Sequence, residues 1–210
     1  MKKAAIIIII FIILIGGSII YTKYIVFQKL KEPFQVITVK VDSVTNNKLT
    51  IAAKESTGIK IDTNIILKTS DNNKIKLAKV LDQPPKLIFA FEDKSCEECI
   101  NTELEILSKF TSVIGKENII YISSFENSKN HLKFEKKKGI KVYNIADNHF
   151  GLPIESLDYP FLFLVDTNYT SQAVSQSAGL PLNLRGMHLG IYLLPYFHKQ
   201  DVSGNKSNQF

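Results

Sequence analysis

Cys96 and Cys99 are the only cysteines in 210 residues, and they stand as Cys-x-x-Cys. Thiols so spaced can exchange a disulfide, form a static bridge, hold half of a zinc site, or sit as inert small hydrophobes. The polar turn Glu92-Asp93-Lys94-Ser95 precedes them, and an apolar run, Leu87-Ile88-Phe89-Ala90-Phe91, precedes the turn. Behind them Ile100, Leu104, Ile106, Leu107 and Phe110 recur at helical spacing. Ser95 as N-cap with Glu98 three residues on makes a capping-box pattern. The pair is therefore expected in the first turn of a helix that follows a buried strand. Helix N–H groups and the helix dipole stabilise a thiolate there, and the thiolate is the reactive form of cysteine. The i, i+3 spacing puts both sulfurs on one face, within bridging reach. A zinc site needs about four ligands, and His131, His149, His188 and His198 share no recognisable spacing with the pair. A structural bridge over so short a loop removes little chain entropy. Redox chemistry is the expectation, with the static bridge and the metal readings open beside it.

The elements that must hold this pair can be read on either side. Residues 65–80 predict a hairpin around Ser70-Asp71-Asn72-Asn73, stopped by Pro84-Pro85. Residues 34–68 alternate in places and predict several short strands. After the cysteine helix, Gly115 marks its end. Strands are expected at 118–123 and 141–145. Between them, 126–138 predicts a helix closed by Gly139, with Leu132 and Phe134 as its apolar contacts. A loop at 150–156 leads to Tyr159-Pro160 and the apolar run 161–165, which suits a central strand. Asp166-Thr167-Asn168 is a turn, 170–177 an edge strand and 182–196 the last helix. Strands alternating with helices over about 130 residues predict an α/β fold with a mixed sheet flanked by helices.

The N-terminus does not belong to that core. Lys2 and Lys3 precede about 18 uncharged residues, mostly isoleucine. That length suits a bilayer span, and no cysteine follows that could be lipidated. An uncleaved N-terminal transmembrane helix is expected over 1–23, then a stalk and short β-rich extension over 24–64, the main domain over 65–199 and a polar tail over 200–210. The lysine pair argues for an inside N-terminus. The net charge of +6 is spread among acids. No aromatic-basic platform accompanies it, so nucleic acid is excluded as a partner. Lipid headgroups suit the lysines that flank the apolar segment.

The strand leading into Cys-x-x-Cys at a helix start, the βαβ units behind it, and Tyr159-Pro160 before an apolar strand resemble the thioredoxin superfamily. The anchor and upstream hairpin look like its membrane-tethered, TlpA- and redoxin-type members. The resemblance covers residues 65–199. It implies that Cys96 attacks a substrate disulfide, that Cys99 resolves the mixed disulfide, and that Pro160 is a cis-proline facing the pair. It also implies a protein or small-molecule disulfide substrate, a membrane-anchored electron donor, and no cofactor or metal. The expected place is the bacterial inner membrane, single-pass, with the C-terminal domain in the periplasm or outside the cell.

Three departures from the pattern carry weight. Ser95 stands where the family has tryptophan, which this chain lacks entirely. Glu97-Glu98 replaces the usual dipeptide, and two carboxylates beside the thiols disfavour a thiolate. A less stabilised reduced form means a lower potential, so a reductant is expected. The alternative is an inactive binding or scaffold protein with a structural disulfide and an interaction surface over 34–68. A peroxidase of this fold carries Thr-x-x-Cys, where this chain has Asp93. A copper carrier spaces its cysteines Cys-x-x-x-Cys with a distant histidine, for which His149 and His188 are the candidates.

Overall fold

Among the described residues seven strands form one mixed sheet, in the spatial order Lys74–Lys76, Ile66–Lys68, Val142–Asn144, Ile119–Ser124, Lys86–Glu92, Phe161–Val165 and Ser171–Gln176. The computed structural model describes residues 43–145, 149–176, 189–190 and 193–197. The expected anchor, the first part of the stalk, the polar tail, most of the last helix, His188 and His198 lie outside the described residues. In chain order the elements are α1 (Ser43–Glu55), β1 (Ile66–Lys68), β2 (Lys74–Lys76), α2 (Leu77–Val80), β3 (Lys86–Glu92), α3 (Glu97–Ile114), β4 (Ile119–Ser124), α4 (Ser128–Lys138), β5 (Val142–Asn144), β6 (Phe161–Val165) and β7 (Ser171–Gln176). Two 3-10 turns, Lys116–Asn118 and Pro153–Leu157, complete them.

The centre of the sheet is β3, paired parallel to β4 and antiparallel to β6. All residues from Lys86 to Phe91 are buried, as are all five of β6, so both faces of these strands are covered. One face carries Ile88, Ala90, Phe161, Phe163 and Val165, and packs with Ala52, Ala53, Leu77 and Ile154 in a single apolar cluster. Leu87, Phe89, Phe91, Leu162 and Leu164 alternate with these and point to the opposite face. The strands β3, β4 and β5 step across the sheet in one direction. Right-handed crossovers then place α3 and α4 on the same face. Phe134 of α4 lies 5.2 Å from Phe91, centroid to centroid, on that second face.

Residues 43–55 are helical where short strands are expected. Leu49 is fully buried and Ile51 is 49 % exposed. Residues two apart share a face in a strand but point apart in a helix. Leu49, Ala52, Ala53 and Ser56 instead form the buried i, i+3, i+4, i+7 stripe. The only β contact recorded for 34–64 among the described residues is the isolated bridge Lys60–Thr170. Ser56 ties this segment down, its Oγ accepting from Ile154 N at 3.0 Å while its carbonyl accepts from Ser171 Oγ at 2.6 Å.

The hairpin β1–β2 forms as expected, but residues 77–80 are helical, with Leu77 and Val80 buried. In α4 the buried residue is His131, at 1 % exposure, while Leu132 is 41 % exposed. His131 Nε2 lies 2.8 Å from Val142 O, and its ring stacks on Phe125 at 4.8 Å. It takes the inward position that the sequence reading assigned to Leu132. Gly139 ends α4 with φ 67°, in the left-handed region. A Cβ there would meet nothing within 4 Å, so Gly139→Ala meets backbone strain alone. That costs roughly 1 kcal/mol. For a domain of this size, thermal unfolding is expected to shift down by about 2–4 °C.

Candidate functional site

A disulfide joins Cys96 to Cys99, with the Cα atoms 5.2 Å apart. The two sulfurs belong to different environments. Cys96 is exposed, and Cys99 is 1 % exposed. Cys96 is the N-cap of α3, and its Sγ accepts from Cys99 N at 3.2 Å. Its carbonyl opens the helix by accepting from Ile100 N at 3.0 Å. An exposed sulfur thus lies at the positive end of an 18-residue helix, already bonded to one of its orphan N–H groups.

The expected capping box of Ser95 and Glu98 does not form. Ser95 Oγ accepts from Glu92 N at 3.0 Å, and Ser95 N donates to Glu92 O at 3.0 Å. These reciprocal bonds close the turn between β3 and α3, so the serine hydroxyl is committed before the helix begins. The cap passes to the next residue, Cys96. The turn is fastened at its rim by Asp93 N to Ser124 O at 3.3 Å, Asn130 Nδ2 to the Asp93 carboxylate at 3.2 Å, and the exposed Lys94–Glu126 pair at 3.3 Å.

Glu97 and Glu98 both stand exposed in the first turn of α3. Glu97 is paired: its Oε1 lies 2.6 Å from Lys137 Nζ and 3.8 Å from Lys138 Nζ. The hydrogen bond from Lys137, then the charges of both lysines, hold the Glu97 carboxyl below the usual carboxylate range. A depressed carboxyl stabilises the fold above the unfolded pKa, about 4.3, and that contribution is lost as pH falls through the lower folded value. Glu97→Gln is therefore expected to flatten the acid side of the stability profile between about pH 5 and 3. Urea unfolding across that range, wild type against variant, measures it. Lys137 and Lys138 close α4. Lys137 lies 40 residues from Glu97 and Lys138 one further, and only the folded βαβ crossover brings them to it.

Pro160 is buried at the start of β6. Because Ala90 pairs with Phe161, it sits at the end of the sheet from which the cysteine turn leaves. The loop before it touches that turn, Ser95 Oγ lying 3.5 Å from Asp158 O. Tyr159–Pro160 is not the expected cis bond. Among the described residues the cis bond is Pro84–Pro85. The chain reverses before β6 at Asp158 instead, which takes a left-handed φ of 54°.

A buried acid was not found from sequence, yet Glu103 is fully buried in α3, one turn beyond Cys99. The signal was present: Cys99, Ile100, Glu103, Ile106 and Leu107 form one helical stripe. The two described histidines make no recorded contact with the pair. His131 is committed to β5, and His149 is exposed 3.9 Å from Glu155. Among the described residues no group of three or more His, Cys, Asp or Glu could hold a metal ion, and no helix is long and apolar enough to cross a membrane.

No protein-family model matches the chain, and no curated protein matches it. Several solved structures are similar in shape. A secreted Mycobacterium tuberculosis disulfide oxidoreductase homologous to E. coli DsbE is 15 % identical, with 61 % of this chain and 96 % of that one covered at a TM-score of 0.46. A thio-disulfide isomerase from Thermus thermophilus is 15 % identical, covering 59 % and 87 % at 0.42. A PrxQ variant from Xylella fastidiosa is 12 % identical, covering 71 % and 97 % at 0.45. All three TM-scores lie under 0.5, so nothing about activity follows from them. What the fold itself contains is a mixed sheet flanked by helices, with a Cys-x-x-Cys bridge at the start of the first crossover helix.

Proposed function

We propose that this protein is a thiol–disulfide oxidoreductase of the thioredoxin type, tethered to the bacterial inner membrane with its α/β domain outside the cytosol. The observation that carries the chemistry is the asymmetry of the bridge, an exposed Cys96 at a helix N-cap joined to a buried Cys99. In the reduced protein the Cys96 thiolate attacks a substrate disulfide. Its S–S bond breaks, a mixed disulfide forms with Cys96, and the leaving thiolate takes a proton from solvent. Cys99 then gives up its proton and attacks the Cys96 sulfur. The second substrate sulfur leaves as a thiolate. The substrate gains two electrons, and the Cys96–Cys99 bridge is restored. A membrane-anchored dithiol donor returns two electrons to close the cycle, and the protein acts as the reductant of its substrate. The membrane placement rests on the apolar N-terminal segment of the sequence.

Equilibrating the full-length chain in detergent against glutathione or dithiothreitol, with thiol trapping, tests this reading. A reversible two-electron couple within about −120 to −270 mV is the expected result. A bridge that resists reduction well below about −300 mV would leave a structural disulfide, and with it the scaffold alternative. Cell fractionation with protease protection tests the membrane placement separately.

A further inference from the structure

We propose that Lys137 and Lys138 of α4 set the reduction potential of the Cys96–Cys99 pair by cancelling the carboxylate charge that Glu97 places beside Cys96. This rests on the redox reading above and deepens it. The last turn of α4 packs against the first turn of α3. Lys137 Nζ lies 2.6 Å and Lys138 Nζ 3.8 Å from one oxygen of Glu97, and Lys138 also bonds Asn101, one turn further along α3. Lys138 is largely covered, its side chain 15 % exposed, so at least one of the two charges is held in place.

Of the other charges around Cys96, two are matched and Glu98 stays unmatched in every variant compared below. Lys94 pairs with Glu126, and Asp93 is bonded by Asn130. Glu98 is exposed on α3 and Lys133 is exposed on α4. Among the described residues neither makes an ion pair. Glu98 therefore adds a constant, and what changes between variants is Glu97 against the two lysines. With Glu97 alone, a negative charge stands on the residue next in the chain to the sulfur that becomes a thiolate. With the lysines in place, the helix N-terminus keeps its positive character.

The direction follows from the reduction itself. Two electrons cleave the bridge, Cys99 takes a proton, and Cys96 is left as the thiolate. Whatever stabilises that thiolate stabilises the reduced state and raises the potential. Removing the lysines is expected to make the pair more reducing, and removing Glu97 to make it more oxidising. A purely structural clamp between α3 and α4 would be broken by either change and would shift the potential the same way in both.

The test uses the full-length chain in detergent, equilibrated against dithiothreitol redox mixtures and trapped with an alkylating reagent. Lys137→Gln with Lys138→Gln is expected to shift the exchange constant at least threefold toward the bridged form, about 14 mV more negative at 29.6 mV per tenfold. Glu97→Gln is expected to shift it at least threefold the other way. Lys137→Arg with Lys138→Arg keeps the charge and is expected to leave the constant unchanged. Both glutamine shifts are expected to shrink in 1 M salt, where the screening length is about 3 Å. Shifts of the same sign, or none while the wild type titrates reversibly, overturn the proposal and leave the redox reading intact. A wild-type pair that never equilibrates overturns both.

Discussion

Cys99→Ala is expected to stop disulfide exchange at the mixed disulfide, and Cys96→Ala to abolish it. The difference follows from burial. In the first variant the exposed Cys96 keeps its place at the N-cap of α3, where the residue-99 N–H bonds its sulfur in the wild type. It can still attack a small disulfide such as oxidised glutathione. With no resolving thiol, the adduct accumulates to one equivalent, and steady-state turnover falls to the buffer rate. In the second variant the remaining thiol is 1 % exposed, and burial in apolar surroundings raises a thiol's pKa and lowers its reactivity. No adduct is expected on the same timescale. Intact-mass spectrometry after quenching distinguishes the two. Equal adduct formation by both variants would mean that the sulfurs are equivalent in solution, and the assignment of attacking and resolving roles would fail.

The largest effect on stability is expected at Phe163. This side chain is fully buried at the centre of β6, 5.1 Å from Phe150 and 5.7 Å from Phe161 between ring centroids. Phe163→Ala removes a ring from between the sheet and the layer that includes α1, and costs about 3–5 kcal/mol. Thermal unfolding is expected to fall by roughly 6–20 °C. The matched control is Leu132→Ala, since Leu132 is 41 % exposed and such surface changes usually stay within about 0.5 kcal/mol. Calorimetry on the full-length chain in detergent checks both. Comparable losses at the two sites would contradict the inward direction of α4 described above. Pro160 immediately precedes β6, so the same substitution is expected to loosen the loop beside the cysteine turn.

The elements that were legible are those whose signal is local and strong. The runs 87–91 and 161–165 read as buried strands, because five consecutive apolar residues bounded by turn signals leave no polar face and are short for a helix. Gly115 and Gly139 closed their helices where a positive φ is required. The region 43–55 was misread because Leu49 and Ile51 alternate like a strand. Its true period shows only when Ala52, Ala53 and Ser56 are counted as inward residues. Small residues carry little hydrophobic signal, yet they are what lets α1 approach the sheet. In 126–138 the apolar Leu132 was assigned inward and the histidine was not. His131 is buried because Val142 O and the Phe125 ring are there to receive it, and the helical spacing within 126–138 says nothing of either.

The sequence by itself determined the chemistry on offer: two thiols at bridging distance, opening an amphipathic helix behind a buried strand. Spacing and periodicity are properties of neighbours along the chain, and neighbours settle them. Only the tertiary structure decided which sulfur faces water, which residue caps the helix, and what charge the thiolate meets. Ser95 was spent closing its turn, so Cys96 took the cap. Glu97 was matched by lysines 40 residues away. The turn at Pro160 was made by Asp158. Each of these depends on a through-space partner, and hydrogen bonds and charges answer to distance in space, which the crossover from β3 through α3 and β4 to α4 sets.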